Sequence, residues 1–347
     1  MSSQNHIKGQ GAQRNVKNRF EQYSYEPEDW EIEKTNTQII EVFPKTIVNA
    51  VKSPDLPMEY SLNPYQGCEH GCSYCYARPT HEYWGFSAGI DFERKIMVKK
   101  NAPELLEKFF RKRNYIPKTI MLSGNTDCYQ PIERELKITR KILEVCLAYR
   151  HPVSILSKNA LVLRDLDLFI KMNELNLISV ALSIPTMNED LRRKMEPRTS
   201  SAIKKLEALK ILKENNIPTG AMIAPIIPGL NSDETLKIIK KISETGADWF
   251  GYTLIRLNDT VEPVFVKWLE TSFPDRKDKV ISLIKQMRGG KLGEKRYFER
   301  YKGEGSIAEM IHKTIEIGRN KYFKDRKMVE LSAAHFSGSK TQQLKLF

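Results

Sequence analysis

Asn63-Pro64-Tyr65-Gln66-Gly67-Cys68-Glu69-His70-Gly71-Cys72-Ser73-Tyr74-Cys75-Tyr76 sets three cysteines at the spacing C-x₃-C-x₂-C, directly after a run that reads as a strand, Glu59–Asn63. Three thiolates so spaced can wrap one face of a cubic iron–sulfur cluster, with Gly67 and Gly71 letting the loop turn tightly. Three ligands for four irons leave one iron open, and an open coordination position is a binding site. Cys68, Cys72 and Cys75 are therefore expected to hold a [4Fe–4S] cluster. Two readings compete with this one. A zinc ion needs a fourth ligand, which His70 or His81 can supply, although His70 is cramped between two cysteines. The other is chance clustering of buried thiols. Cys128 and Cys146 stand alone and cannot furnish a second cluster, and five cysteines in a cytosolic chain suit metal or redox chemistry better than disulfides.

Outward from the loop, short apolar runs alternate with segments of helical period. The strand candidates are Glu59–Asn63, Thr119–Ser123, Val153–Ser157, Leu177–Ser183, Thr219–Pro225 and Trp249–Ile255. Between them Leu136, Ile138, Ile142, Leu143, Val145 and Leu147 build an apolar helix face; so do Ile203, Leu206, Leu209, Ile211 and Leu212, and Leu236, Ile238, Ile239 and Ile242. Repeated βα units imply a parallel sheet, and the fold class expected is α/β, a partial (βα)6 TIM-type barrel whose chemistry gathers at the C-terminal strand ends. Residues 1–57 read as a basic polar N-terminal extension with anchor-like Phe20 and Trp30 and a short apolar run, Thr46-Ile47-Val48. The barrel is expected over 58–257, a helical C-terminal segment over 258–336 (Val264–Leu269, Val280–Met287), and a flexible tail over 337–347.

The 347 residues carry 56 Lys and Arg against 43 Asp and Glu, a net charge of +13. Such an excess suits a polyanionic partner, because clustered cations release counterions from phosphates, and it equally suits a basic surface with no such role. The polar N-terminus has no signal-peptide run, and no apolar stretch reaches the roughly 18 residues of a membrane span. A soluble cytoplasmic protein is expected.

The cysteine spacing, with an aromatic residue before the last cysteine, resembles the radical S-adenosylmethionine superfamily. Over nearly the whole chain NPYQGCEHGCSYCYARPTHEY, DFERKI, NTDCYQPIE, SKNALVLRDLDL, MEPRTSS and APIIPGLN resemble the uncharacterised radical enzymes grouped with spore photoproduct lyase, often labelled "DNA repair photolyase". The resemblance implies S-adenosylmethionine as second cofactor. The open iron would chelate its methionine moiety, an external donor would supply the electron, and a 5′-deoxyadenosyl radical would abstract hydrogen from substrate. It also implies cofactor contacts: Tyr74 near adenine, Asn125 with Thr126 and Asp127 for the methionine ammonium, and Lys158 for its carboxylate. Ser183 would bond ribose or carboxylate, and Arg198 would clamp a carboxylate or a substrate phosphate. The lyase returns hydrogen to its product radical from a cysteine; Gly124 falls at that place here, and Cys128, four residues on, reads as a buried thiol.

The extreme C-terminus, Gln343-Leu344-Lys345-Leu346-Phe347, resembles the pentapeptide by which bacterial polymerases and repair proteins dock on the DNA sliding clamp. The competing expectation is a last strand or helix end tucked against the body. Nucleic acid is thus the expected substrate for repair or modification; the alternatives are a radical enzyme acting on a protein or small molecule, and a non-catalytic iron–sulfur protein.

Overall fold

The computed structural model describes residues 7–20 and 36–338. Its main sheet is assembled from β2 (Val48–Ala50), β3 (Tyr60–Leu62), β6 (Ile120–Leu122), β7 (Val153–Ser157), β8 (Ile178–Ser183), β9 (Thr219–Ile226) and β10 (Trp249–Leu254) in the order β10-β9-β8-β7-β6-β3-β2. All neighbours are parallel except β2, which runs antiparallel to β3. A smaller sheet has the order β1-β5-β4, from β1 (Gln38–Glu41), β4 (Tyr65–Gln66) and β5 (Lys95–Val98). The fold is mixed α/β around a parallel sheet. All six strands expected from the sequence are present within a few residues. The four missed, β1, β2, β4 and β5, are only 2–4 residues long, too short for period-two alternation to show.

The helices follow from the apolar spacing, with two corrections. Leu136 closes a separate turn, Glu133–Leu136, because Lys137 takes a left-handed φ of 52° before the helix Ile138–Ala148 begins. On the helix Ala202–Glu214 the buried face is Ala202, Lys205, Ala208, Leu209 and Leu212, and Ile203, expected inside, is 64% exposed. A lysine occupies a core position there, and its reason lies in the site. Beyond β10 run helices Val261–Ser272, Lys277–Gln286 and Gly305–Tyr322. None of the described helices is long and apolar enough to cross a membrane.

The expected extension is woven into the body. It supplies β1 and β2, and its first described stretch lies against the cysteine loop: Gly11 and Ala12 amides donate to the Glu93 carboxylate at 3.2 and 2.7 Å. A Cβ on Gly11 would sit 1.8 Å from the Gly71 carbonyl oxygen, so only glycine admits this approach. Phe20 is 57% exposed and anchors nothing in the core; it stacks at 5.0 Å on Tyr83. Trp30 and the clamp-like residues Gln343, Leu344, Leu346 and Phe347 lie outside the described residues.

Candidate active site

The cysteine loop leaves the C-terminal end of β3 and is held by backbone bonds that leave the thiols facing one space. Gly67 and Gly71 take φ of 81° and 64°, the left-handed turns the loop needs. The Cys68 amide donates to the Phe92 carbonyl, the Cys75 amide to the Cys72 carbonyl, and Ser73 to Met195. Beneath the loop Arg78, wholly buried, spends its guanidinium on the carbonyls of Cys72, Ala88 and Gly89 and on Glu93 at 2.5 Å. A buried cation with every donor engaged fixes a loop that has little regular structure of its own.

The donor set fits an iron–sulfur cluster. Cys68 and Cys72 are buried and Cys75 half-buried, close enough to perturb one another electrostatically. Among the described residues no three His, Cys, Asp or Glu side chains converge on one metal-ion position, as three thiolates binding three different irons would not. His81 Nε2 lies 3.1 Å from the Asp91 carbonyl, and His70 faces the Asp127 carboxylate at 3.3 Å. Burial, then the charge of Glu196, pushes the Cys72 thiol well up; burial, then Cys68, pushes Cys75 up to about 11. Loading must therefore expel protons from this pocket.

Around the thiols the strand ends place a buried ionic network. Lys158, just past β7, donates to Glu196 at 2.7 Å and to the Ser183 hydroxyl, at the end of β8, at 2.8 Å. Its ammonium stands 5.5 Å over the Tyr74 ring, and the Tyr74 hydroxyl donates to Glu196. Lys205 reaches the same carboxylate at 3.5 Å and the Ser183 carbonyl at 2.9 Å, which is why a lysine occupies a core position on its helix. Burial works against the charge of Glu196, but Lys158 and Lys205 outweigh it and hold the carboxyl at about 2. Burial likewise opposes the Lys158 ammonium, and Glu196 more than compensates.

Of the residues singled out from sequence, Tyr74, Lys158 and Ser183 meet around Glu196. Asn125 sits at the end of β6 with its amide on the Asn63 side chain at 2.9 Å, leaving its own side chain without a hydrogen bond to a described residue. Thr126 and Asp127 are not free acceptors: Thr126 donates to the Tyr65 carbonyl, and Asp127 accepts from Ser157, Tyr129 and the Lys158 amide. Arg198 belongs to another set, 3.8 Å from Glu93. Cys128 is fully buried with its thiol pushed well up by burial, as an inert core thiol is; its carbonyl accepts from Thr139. Sequence reasoning passed over Glu196, Lys205 and Glu93 as actors. The lysine among apolar positions of one helix face was the available signal for Lys205.

Residues 62–242 match the family model of the Radical SAM superfamily, and the chain belongs to that superfamily. Its cofactors are S-adenosylmethionine and a [4Fe–4S] cluster. An uncharacterized protein of Mycobacterium tuberculosis is 32% identical over 241 residues, 68% of this chain and 70% of that one. Another, of Methanocaldococcus jannaschii, is 35% identical over 238 residues, 69% of this chain and 85% of that one. Among solved structures, spore photoproduct lyase complexed with dinucleoside spore photoproduct superposes with a TM-score of 0.60 at 18% identity, covering 82% of this chain and 79% of the other. That likeness is one of fold.

Proposed function

We propose that this protein is a radical S-adenosylmethionine enzyme, built on a partial (βα)6 barrel, that repairs or modifies nucleic acid. The observation that carries the radical chemistry is the meeting of Cys68, Cys72 and Cys75 with Lys158, Ser183 and Glu196 at the C-terminal strand ends. Cys68, Cys72 and Cys75 would hold the cluster, which, when bound and reduced by an external donor, would supply the electron for cleavage of S-adenosylmethionine. The Lys158 ammonium and Ser183 hydroxyl orient the methionine carboxylate, with Glu196 keeping Lys158 charged and in place. Arg78 and Glu93 hold the loop rigid against the charge change at the cluster.

The nucleic-acid substrate is supported by the net charge of +13 and by fold likeness to a lyase solved with a dinucleoside photoproduct. With Gly124 where that lyase is expected to carry its hydrogen-donating cysteine, and Cys128 sealed in the core, the last hydrogen comes from elsewhere. Reconstituted, reduced protein should release 5′-deoxyadenosine, and Cys72→Ala should lose both the brown absorbance and this product. Label from deuterated DNA or RNA, and not from deuterated protein, should enter the 5′-deoxyadenosine; label from protein alone would overturn the substrate reading. The tail Gln343-Leu344-Lys345-Leu346-Phe347 recruits the enzyme to the sliding clamp. A peptide of residues 337–347 should bind the clamp at roughly micromolar Kd, and its Leu346→Ala, Phe347→Ala form should not.

A further inference from the structure

Just past β10, the sixth parallel strand, the guanidinium of Arg256 is held between two aromatic rings. Its carbon lies 5.7 Å from the Tyr76 ring centroid and 4.9 Å from that of Tyr301. Tyr76 follows the cluster ligand Cys75 directly, is 55% exposed, and donates its hydroxyl to the Gly124 carbonyl at the end of β6. The stack therefore stands on the rim of the same mouth that holds the cysteines and Lys158.

Two further arginines stand close by, and both are spent. Arg300 is bound to Asp55 at 2.5 Å and to Ser53 at 2.6 Å while its carbon faces the rings of Tyr297 and Tyr301. Arg288 is buried and gives its donors to the carbonyls of Leu254, Ile255 and Glu299, so it pins the strand end that carries Arg256. Arg256 itself makes no hydrogen bond or ion pair with a described residue. A half-buried guanidinium with like charges beside it is unfavourably placed, and ring faces offset only part of that. A fixed, planar, unspent fork is the geometry that accepts an oxyanion through paired hydrogen bonds. Exposed rings at this rim, Tyr76 beside Arg256 and Tyr297 (52%) beside Arg300, offer flat apolar faces of the kind on which unpaired bases stack.

We infer that Arg256, clamped between Tyr76 and Tyr301, binds a backbone phosphate of a single-stranded or locally opened nucleic acid, seating the adjoining nucleotide at the mouth. This rests on the nucleic-acid reading above and adds its point of contact. Because the anchor is a phosphate, it carries no base preference; that must come from the mouth itself.

The test is fluorescence anisotropy of the cluster-loaded full-length protein with a labelled oligothymidylate of about 20 nucleotides, titrated over a range of salt. Arg256→Gln should weaken binding about ten-fold and flatten the dependence of log K on log salt by about 0.7, the share of one phosphate contact on a single strand. Arg256→Lys should keep the salt slope. Tyr301→Leu should weaken binding and keep the slope. Lys237→Gln, an exposed lysine on the helix Thr235–Glu244, should change neither beyond error. Circular dichroism and the cluster absorbance establish that each variant is folded and loaded. If the unaltered protein binds and Arg256→Gln matches it in affinity and slope, this contact is wrong and the nucleic-acid reading survives. If the unaltered protein binds neither oligothymidylate nor its RNA counterpart, both fall together.

Discussion

The two ends of the parallel sheet are built from opposite materials. At the C-terminal end, Lys158, Lys205, Glu196, Arg78 and Glu93 are charged groups in or against the protein interior, each needing its partners to be tolerated there. At the N-terminal end, before β6 and β7, the interior is a set of rings: Phe110 stacks on His151 at 4.3 Å, with Tyr115 at 5.8 Å and Phe336 edge-on at 5.4 Å. Phe336 brings in the far end of the chain, and the Ser337 amide closes on the Tyr149 carbonyl. Buried ion pairs recover little more than their desolvation cost, whereas buried aromatic rings stabilise directly. A charged end held at such cost is what a site for a zwitterionic cofactor requires; the aromatic end supplies the stability that the charged end does not.

Removing one charge from the mouth should break this contrast most sharply. Glu196→Gln leaves Lys158 and Lys205 buried without their carboxylate, and the loss should be about 3–5 kcal/mol in urea unfolding of the cluster-free protein. Adding Lys158→Met to the same chain should return part of that loss. If Glu196→Gln is as stable as the unaltered protein, the network is solvated in solution and the contrast between the ends fails.

Much of the frame was legible because long strands and helices declare themselves by period: Val153–Ser157 is present with the expected ends, and Ile238, Ile239 and Ile242 are buried as spaced. The cysteine loop was legible because its ligands are contiguous in sequence. The network around Glu196 was not, because its members come from four separate places, Tyr74, Lys158, Glu196 and Lys205, and only tertiary structure brings them together. Asp127 was read as an open acceptor for a related reason. Its residue type suits cofactor binding, but whether a carboxylate is already occupied depends on neighbours distant in sequence, here Ser157 and the Lys158 amide. The N-terminal segment was read as an appendage because it is polar; its hold on the body combines Gly11 and Ala12 amides with isolated apolar residues, Ala12 against Ile90 and Val264, and Ile47 in the core, too scattered to make a hydrophobic pattern.

The smaller effect tests the aromatic end through its histidine. The Pro152 carbonyl can only accept, so His151 Nδ1, 3.0 Å away, carries the proton; Nε2 then accepts from the Tyr115 hydroxyl at 2.7 Å. Both nitrogens are satisfied by the neutral ring, and a second proton would have to enter without water. Burial accordingly depresses the His151 pKa to about 3, against the weaker opposing pull of the Pro152 carbonyl. The sign follows from linkage. Above about pH 6.5 the ring is neutral folded or unfolded; below it the unfolded chain takes a proton that the folded chain refuses. Stability is therefore full above that pH and lost as pH falls, by up to about 1.4 kcal/mol per pH unit, until the folded ring protonates. The mouth fails in a lower window, since Glu196, held at about 2 against an ordinary 4.5, loses its contribution only below the usual carboxylate range. His151→Gln removes the ring's titration and leaves the mouth untouched. The stability advantage of the unaltered protein over His151→Gln should thus shrink between about pH 6 and pH 5 in urea melts, approaching about 1.4 kcal/mol per unit. An advantage that stays constant over that interval would mean that the ring protonates inside the fold, and that the aromatic end is open to water.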